Sequence, residues 1–170
     1  MSTSKNTLTL ERVREGLSDL SLRSTDFRSD LTLIADPKDV HRVLRFLRDD
    51  PDCNFDLLSD VTAVDYLDYP AQTLGRFAVV WILVCTETSA RVRVKSFVDP
   101  SIDTSGIEED PALYFDTSTD IWEGAEWRER EIFDMDNPER EADSTTTTTH
   151  TLDLKPQTWK EYKNRKKRLA

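Results

Sequence analysis

Nine consecutive apolar residues, Phe77–Cys85, constrain the fold more than any other feature of the sequence. The run is too short to cross a membrane as a helix, which takes about 20 apolar residues, and it is typical of a strand that is covered on both faces. The next segment, residues 91–98, alternates between basic and apolar side chains. Val92 and Val94 therefore point to a core, while the opposite side, which faces solvent or an acidic surface, carries Arg91, Arg93 and Lys95.

The other periodic segments predict two further strands and three helices. Residues 31–35 and 55–66 are predicted as strands, the second with a bend near Asp60. Residues 8–22 carry apolar side chains at a spacing of three to four, which predicts an amphipathic helix. Asp36 and Pro37 predict the start of a second helix, because Asp is a good cap and Pro is tolerated in the first turn. A third helix is predicted over residues 120–136, with Thr119 and Asp120 as candidate caps.

Charge is unevenly distributed along the 170 residues. The net charge is -10, but residues 155–170 contain seven basic side chains and one acid, so the remaining 154 residues carry -16. A body this acidic repels nucleic acid and anionic lipid. The basic tail, which follows a threonine run predicted as a flexible linker, is either a solvated tail or a contact for an acidic partner or a nucleic acid.

Composition argues against several kinds of active site. The two cysteines and two histidines are scattered at Cys53, Cys85, His41 and His150, so the sequence offers no Cys/His zinc site and no iron–sulfur ligand set. The four glycines form no phosphate-binding loop or dinucleotide fingerprint. We therefore expect no metal-binding, cofactor-binding or catalytic residues in this chain.

The third helix places a large aromatic side chain among charges. At about 100° per residue, one side of the helix is apolar and carries Ile121, Ala125, Ile132 and Met135. The opposite side carries a ladder of alternating charge, formed by Glu126, Arg130 and Asp134, and Trp127 lies with it. Such a tryptophan is covered either by a partner or by a loop of its own domain.

This helix also carries a family resemblance. The segment TDIWEGAEWREREIFDM resembles the signature of the C-type subunit of NADH–quinone oxidoreductase, the thirty-kilodalton subunit of respiratory complex I. The matching positions are Ala125, Trp127, Glu129, Arg130, Glu131, Asp134 and Met135, and Glu126 stands where Asn is usual. The resemblance covers residues 31–136, and the family's usual continuation is replaced by a threonine run and a basic tail.

The resemblance implies an α+β fold, a mixed β-sheet with helices packed on it. It also divides the chain into three parts: an N-terminal helical extension (residues 1–30), the domain that is similar to the C-type subunit (31–138), and a Thr-rich linker with a basic C-terminal tail (139–170).

The resemblance further implies a non-catalytic, structural subunit in the peripheral arm of the complex. A subunit of this type docks against a D-type (forty-nine-kilodalton) partner and other peripheral-arm subunits, and it supports electron transfer from NADH to quinone. NADH, flavin, iron–sulfur clusters and quinone are expected in the partner subunits, and none in this chain. We expect a peripheral position on the cytoplasmic side of the energy-transducing membrane, reached only through the complex, and no nucleic acid.

Two sets of residues are candidates for contact. The first, a partner-facing or helix-locking set, comprises Trp127, Glu129, Arg130, Glu131 and Asp134. The second is the basic strand face of Arg91, Arg93 and Lys95, which is either a contact for an acidic partner or a solvated surface. An enzyme that uses Glu129 and Glu131 as a pair is disfavoured, because residues two apart on a helix diverge by about 200°.

Two alternative functions stay open from the sequence. The same type of domain serves related membrane-bound complexes of the hydrogenase type, so the electron donor need not be NADH. A nucleic-acid-binding module would instead use the basic tail, with Trp159 and Tyr162 as stacking groups.

Overall fold

The apolar run forms the fourth strand of a five-stranded mixed sheet. The computed structural model describes residues 2–67, 69–100, 111–136 and 151–153, with the backbone alone for residues 2–4, 111, 133–136 and 151–153. The elements in chain order are α1 (Ser2–Gly16), β1 (Arg23–Phe27), β2 (Asp30–Ile34), α2 (Pro37–Asp49), β3 (Leu57–Asp65), β4 (Phe77–Cys85), β5 (Ala90–Val98), a 3-10 turn (Pro111–Leu113), β6 (Tyr114–Asp116), α3 (Ala125–Asp136) and β7 (Thr151–Asp153).

The sheet has the order β1-β2-β5-β4-β3, with β5 as its middle strand. The β2–β5 pair is parallel and the other three pairs are antiparallel, which makes the sheet mixed. β6 and β7 form a separate two-stranded sheet, and β7 lies in the segment that the sequence predicts as linker and tail. The predicted α+β fold, a mixed sheet with helices packed on it, is confirmed.

Strand boundaries follow the side-chain pattern closely. β4 spans the apolar run without change, and the predicted bend near Asp60 is a β-bulge, since the pairing with β4 shifts between Leu58 and Asp60. β1 is not predicted by the sequence, which assigns residues 1–30 to a helical extension. All five of its side chains are exposed, so it lacks the apolar alternation that reveals a strand.

One face of the sheet carries the core. Trp81 of β4 lies between Val61 of β3 and Val94 of β5, and all three are buried. The same core includes buried side chains from all three helices, namely Val13 of α1; Val40, Val43, Leu44 and Leu47 of α2; and Ile132 of α3. All three helices therefore pack against this face.

The opposite face of β4 does not match the expectation of a strand covered on both sides. Val80, Ile82 and Val84 are only half-buried and lie outside the core cluster. Their partners in register on β5 are Lys95, Arg93 and Arg91, so the predicted division of β5 into a core side and a basic side is confirmed. We call this surface the open face: Val80, Ile82, Val84, Arg91, Arg93 and Lys95.

Helix α1 is held in place at both of its ends. It stops at Gly16, where an added Cβ atom would clash with the ring of Phe46 in α2. The predicted amphipathic helix over residues 8–22 is therefore shifted towards the N-terminus, and Leu17 continues into a turn. At the start of the helix, the buried Asn6 donates to the carbonyl of Ser29 at 3.0 Å and so ties α1 to the β1–β2 turn.

A buried aspartate fixes the middle of α1 to the end of α2. Asp50 accepts hydrogen bonds from Arg12 Nη2 at 2.7 Å and from the backbone N–H groups of Asp52 and Cys53. Burial would raise the pKa of Asp50, but the hydrogen bond from Arg12, the backbone donors and the Arg12 charge outweigh it and hold the pKa below the ordinary value. Asp50 is therefore charged in the folded state at neutral pH.

Replacing Asp50 with Asn should lower the free energy of unfolding at pH 7 by about 1–3 kcal/mol, because buried donors lose a charged acceptor. Since the folded-state pKa is lowered, the contribution of the charge is present at neutral pH and is lost as the pH falls below about 4 towards the folded pKa. Urea unfolding of the unaltered chain and of Asp50→Asn between pH 7 and pH 3 should show that their free energies of unfolding become more similar as the pH falls. Asp49→Asn, at an exposed neighbour, is the control, and a difference that is independent of pH would contradict the assignment.

Candidate docking surface on helix α3

The segment between β6 and α3 is built from two consecutive turns. The carbonyl of Ser118 accepts the N–H groups of Ile121 and Trp122, and the carbonyl of Trp122 accepts the N–H of Ala125. α3 therefore begins at Ala125, five residues later than predicted, because these turns already use the preceding backbone groups. Ile121, Trp122 and Ala125 are buried beneath the turns, as the apolar side of the predicted helix requires.

A buried carboxylate fixes α3 to these turns. Glu129 is 8% exposed and accepts three hydrogen bonds: from the Thr117 hydroxyl at 2.6 Å, the Ser118 hydroxyl at 2.6 Å and the Ser118 N–H at 2.8 Å. We call this arrangement the Glu129 lock. A hydrogen bond to a charged acceptor contributes about 1.5–3 kcal/mol, and the contributions of bonds that share one acceptor do not add. The lock sets the position of α3 relative to the end of β6.

Asp120 ties the same turns to α2. The sequence predicts it as a helix cap, but its carboxylate binds His41 Nε2 at 2.9 Å and also pairs with Arg45. Burial would raise the pKa of Asp120, and the hydrogen bond from His41 together with the His41 and Arg45 charges outweighs it and lowers the pKa. Thr119, the other predicted cap, bonds through its hydroxyl to the Thr117 hydroxyl at 3.0 Å.

The outward side of α3 carries a tryptophan set in charges. Trp127 is 71% exposed, and the guanidinium of Arg130 lies 5.6 Å from its ring centroid. Arg130 also pairs with Glu126 at 3.6 Å, and Arg128 reaches Asp60 of β3 at 3.5 Å and Glu131 at 4.0 Å. We call this surface the α3 flank: Glu126, Trp127, Arg128, Arg130 and Glu131.

The α3 flank contributes little to the stability of the fold. All of its ion pairs join exposed side chains, and such pairs are worth about 0–1 kcal/mol each. Trp127 leaves most of its ring in water, where a large aromatic group gains nothing from burial. The flank is thus a surface whose composition the fold itself does not require.

The structure separates the residues that the sequence grouped together. Trp127, Arg130 and Glu131 lie on the exposed side of α3, whereas Glu129 points inward to the lock. Asp134 is in α3, but its side chain lies outside the described residues, as do the linker and tail apart from Thr151–Asp153. The sequence places Glu129 in a set that is either partner-facing or helix-locking, but it does not identify Thr117 and Ser118 as the donors that Glu129 binds. The serine and threonine before the helix are the signal that could have indicated them.

The three basic residues of β5 differ in their surroundings. Arg93 pairs with Asp30 at 2.9 Å, and both side chains are exposed. Lys95 donates to the hydroxyl of Tyr66 and lies 4.6 and 4.7 Å from the ring centroids of Tyr66 and Phe97. Arg91 is exposed, and within the described residues no acidic side chain pairs with it.

Two features of the described residues concern possible metal ligands and reactive thiols. No three His, Cys, Asp or Glu side chains among them are grouped so that they could hold a metal ion. Both cysteines are free and buried, and burial together with the charge of Asp50 raises the pKa of Cys53 to about 12, so its thiol stays protonated. In the part of the chain that the structure describes, no helix is long and apolar enough to cross a membrane.

Solved structures have a fold similar to that of this chain. The chain superposes on the trypsin-resistant fragment (1–134) of Nqo5 with a TM-score of 0.54 and 25% identity, over 75% of this chain and 91% of the fragment. It also superposes on a chain of the membrane-bound sulfane sulfur reductase, an archaeal respiratory membrane complex, with a TM-score of 0.55. That match is 22% identical and covers 74% of this chain and 64% of the other, so it shows the fold alone. The domain is therefore of the α+β class that Nqo5 represents.

Sequence comparison gives the particular family. The family described as "Respiratory-chain NADH dehydrogenase, 30 Kd subunit" matches residues 33–137. The C-type subunit of the NADH-quinone oxidoreductase of Roseiflexus sp. (strain RS-1) is 38% identical over 130 residues, which cover 76% of this chain and 67% of the relative. The C-type subunit of Thiobacillus denitrificans is 35% identical over 72% of this chain and 58% of its own length. The chain belongs to this family of complex I subunits, which confirms the resemblance carried by the third helix.

Replacing Glu129 with Ala should lower the free energy of unfolding of the full chain by about 2–4 kcal/mol, because buried donors at Thr117 and Ser118 lose their acceptor. Glu131→Ala removes an exposed carboxylate two residues away and should change it by less than about 0.5 kcal/mol. Urea denaturation followed by far-UV circular dichroism measures both values. Equal effects of the two substitutions would show that the lock is not a structural element.

Proposed function

We propose that this chain is a non-catalytic structural subunit of the peripheral arm of NADH-quinone oxidoreductase. It docks against the D-type (forty-nine-kilodalton) partner and supports electron transfer from NADH to quinone by positioning the subunits that hold the flavin, the iron–sulfur clusters and the quinone. It lies on the cytoplasmic side of the energy-transducing membrane, which it meets only through the complex. Family membership over residues 33–137 supports this assignment.

The observation that carries the docking proposal is the exposure of Trp127. Its ring is 71% exposed on α3, whereas Trp122, in the turns that precede the helix, is buried. Tryptophan and arginine are among the residues most enriched in the group that dominates binding energy at protein interfaces. The guanidinium carbon of Arg130 lies 5.6 Å from the ring centroid of Trp127, so the α3 flank presents both side chains at one place.

The Glu129 lock makes this surface suitable for docking. Glu129 fixes the buried side of α3 to the preceding turns. Trp127 is two residues away in the same part of the helix and projects from its exposed side. A rigid surface loses less conformational entropy on association than a mobile one. We therefore assign a helix-locking role to Glu129 and a partner-facing role to Trp127, Arg130 and Glu131.

The charges of the α3 flank indicate what the partner presents. Glu126 and Glu131 alternate with Arg128 and Arg130, so the flank has both signs of charge around a single aromatic group. The complementary surface would hold an apolar pocket for Trp127, surrounded by acidic and basic side chains of its own. A mixed rim of this kind fixes orientation more than it adds affinity.

Replacing Trp127 with Ala should weaken binding to the D-type partner by at least about tenfold. The free energy of unfolding of the isolated full chain should change by less than about 0.5 kcal/mol, because the ring is exposed. Co-expression of the tagged chain with the D-type partner of the same organism, followed by titration of the purified pair, measures the dissociation constant.

Phe27→Ala is the matched control for Trp127→Ala. Phe27 is an aromatic residue that is 67% exposed on β1, at the sheet edge opposite to β3, against which α3 packs. Unchanged binding for Trp127→Ala, or an equal loss for both variants, would count against docking through the α3 flank.

Arg130→Ala should also weaken binding of the partner while the isolated chain stays folded, because the ion pair with Glu126 is exposed. Binding is measured in the same titration, and stability by urea unfolding. If Arg130→Ala unfolds the isolated chain instead, Arg130 is an internal strut and has no partner-facing role.

A further inference from the structure

We infer that the open face of the sheet is a second docking surface, which binds an acidic, amphipathic segment of another polypeptide of the assembled complex. This inference rests on the proposed function only in that the chain works inside a complex. The open face lies on the side of the sheet opposite to the core, and Asp60, whose register partner is Ile82, joins its β3 edge to Arg128 of α3.

The apolar side chains of the open face form a regular row. Val80, Ile82 and Val84 alternate along β4 and point away from the core. An antiparallel pair that faces water normally carries polar side chains on its outer side. Ile34 of β2 and Val64 of β3 are half-buried and lie on the same face as this row. Ile34 is in register with Lys95, and Val64 is in register with Ala78, which precedes Val80 by two residues on β4. The face therefore carries apolar side chains on β2, β4 and β3, on both sides of the basic middle strand β5.

Each residue of the row lies beside a cation. In register, Val80 pairs with Lys95, Ile82 with Arg93 and Val84 with Arg91. These cations lie on β5, the middle strand of the sheet. The part of the chain before residue 155 has a strong net negative charge. Arg91 has no acidic partner among the described residues, and the pair between Arg93 and Asp30 is exposed and exchangeable. A row of aliphatic groups with cations along one side is complementary to aliphatic groups flanked by carboxylates.

The spacing of the row suits a helix. Alternate residues of a strand are about 6.8 Å apart, and positions i and i+4 of a helix are about 6 Å apart along its axis. A helix lying along β4 would thus place one aliphatic side chain against each of Val80, Ile82 and Val84. Acidic residues on its adjacent side would then face Arg91 and Arg93.

Other occupants fit less well. The basic residues 155–170 of this chain would meet the cations of β5 with like charge. A second copy packed face to face about a two-fold axis would oppose the two middle strands, and therefore the two basic rows. Nucleic acid and anionic lipid are repelled by the acidic remainder of the chain, and neither needs a row of valine and isoleucine.

The first test measures access to the open face with a cysteine probe. Ile82→Cys is labelled with a small maleimide in the free full chain and in the complex purified from native membranes, while Cys53 and Cys85 are buried. We expect labelling about tenfold slower in the complex, because the core of an interface excludes solvent. Glu87→Cys, in the exposed β4–β5 turn, controls for general shielding, and Val84→Cys replaces Ile82→Cys if that variant does not fold.

The second test identifies the occupant. A photo-crosslinking p-benzoylphenylalanine at position 82 should link, in the assembled complex, to a peptide of another subunit with Asp or Glu within one helical turn of the linked residue. Arg91→Glu should reduce the fraction of chain incorporated into the complex about fivefold, and Arg48→Glu, at an exposed arginine of α2, should leave it unchanged.

Three results would overturn the inference. They are equal labelling of Ile82→Cys in the free and assembled states, cross-links confined to this chain or to a second copy of it, and incorporation that is insensitive to Arg91→Glu. Each can occur while Trp127→Ala still weakens binding of the D-type partner. Failure of the second surface is therefore distinguishable from failure of the proposed function.

Discussion

The carboxylate of Glu129 is the contact on which the exposed surface of α3 depends. A charged side chain that is almost fully buried would be strongly unfavourable without donors, and here Thr117 and Ser118 supply three of them. Because the same turns are tied to α2 through Asp120, the lock connects α3 to the helical layer as well as to the end of β6. The position of Trp127 is thus set by polar contacts beneath it, and the ring itself is left in water.

The periodicity of the sequence predicts those elements whose structure is determined by the pattern of apolar and polar side chains. β4 and β5 are recognisable because a continuous apolar run and a strict alternation have few other uses, and the bulge near Asp60 interrupts the pattern of β3 visibly. β1 was missed because its pairing with β2 depends on backbone hydrogen bonds and on a tight turn in which Arg28 and Ser29 have positive φ angles. The start of α3 was missed for a related reason, since backbone bonds of two turns use the groups that a longer helix would need.

The candidate site shows the same division. A helical projection of residues 120–136 places Trp127 on the charged side of the helix and predicts the pairing of Glu126 with Arg130, but it leaves open whether a loop of the same domain covers the ring. It does not show that Glu129 is buried, because a glutamate is equally compatible with solvent or with a polar pocket. That distinction depends on Ser118 and Thr117, which are eleven and twelve residues away and reach Glu129 only when the turns are formed.

These features agree with the proposal that the subunit acts by positioning its neighbours in the complex. The two surfaces proposed for docking are the α3 flank, on a helix that packs against the core side of the sheet, and the open face on the other side. The most direct test of this account is hydroxyl-radical footprinting of the intact complex and of the free chain, comparing oxidation of Trp127 with that of the buried Trp81 and Trp122. Docking through the α3 flank predicts rapid oxidation of Trp127 in the free chain and strong protection in the complex, with Trp81 and Trp122 slow in both. Equally rapid oxidation of Trp127 in both states would contradict it.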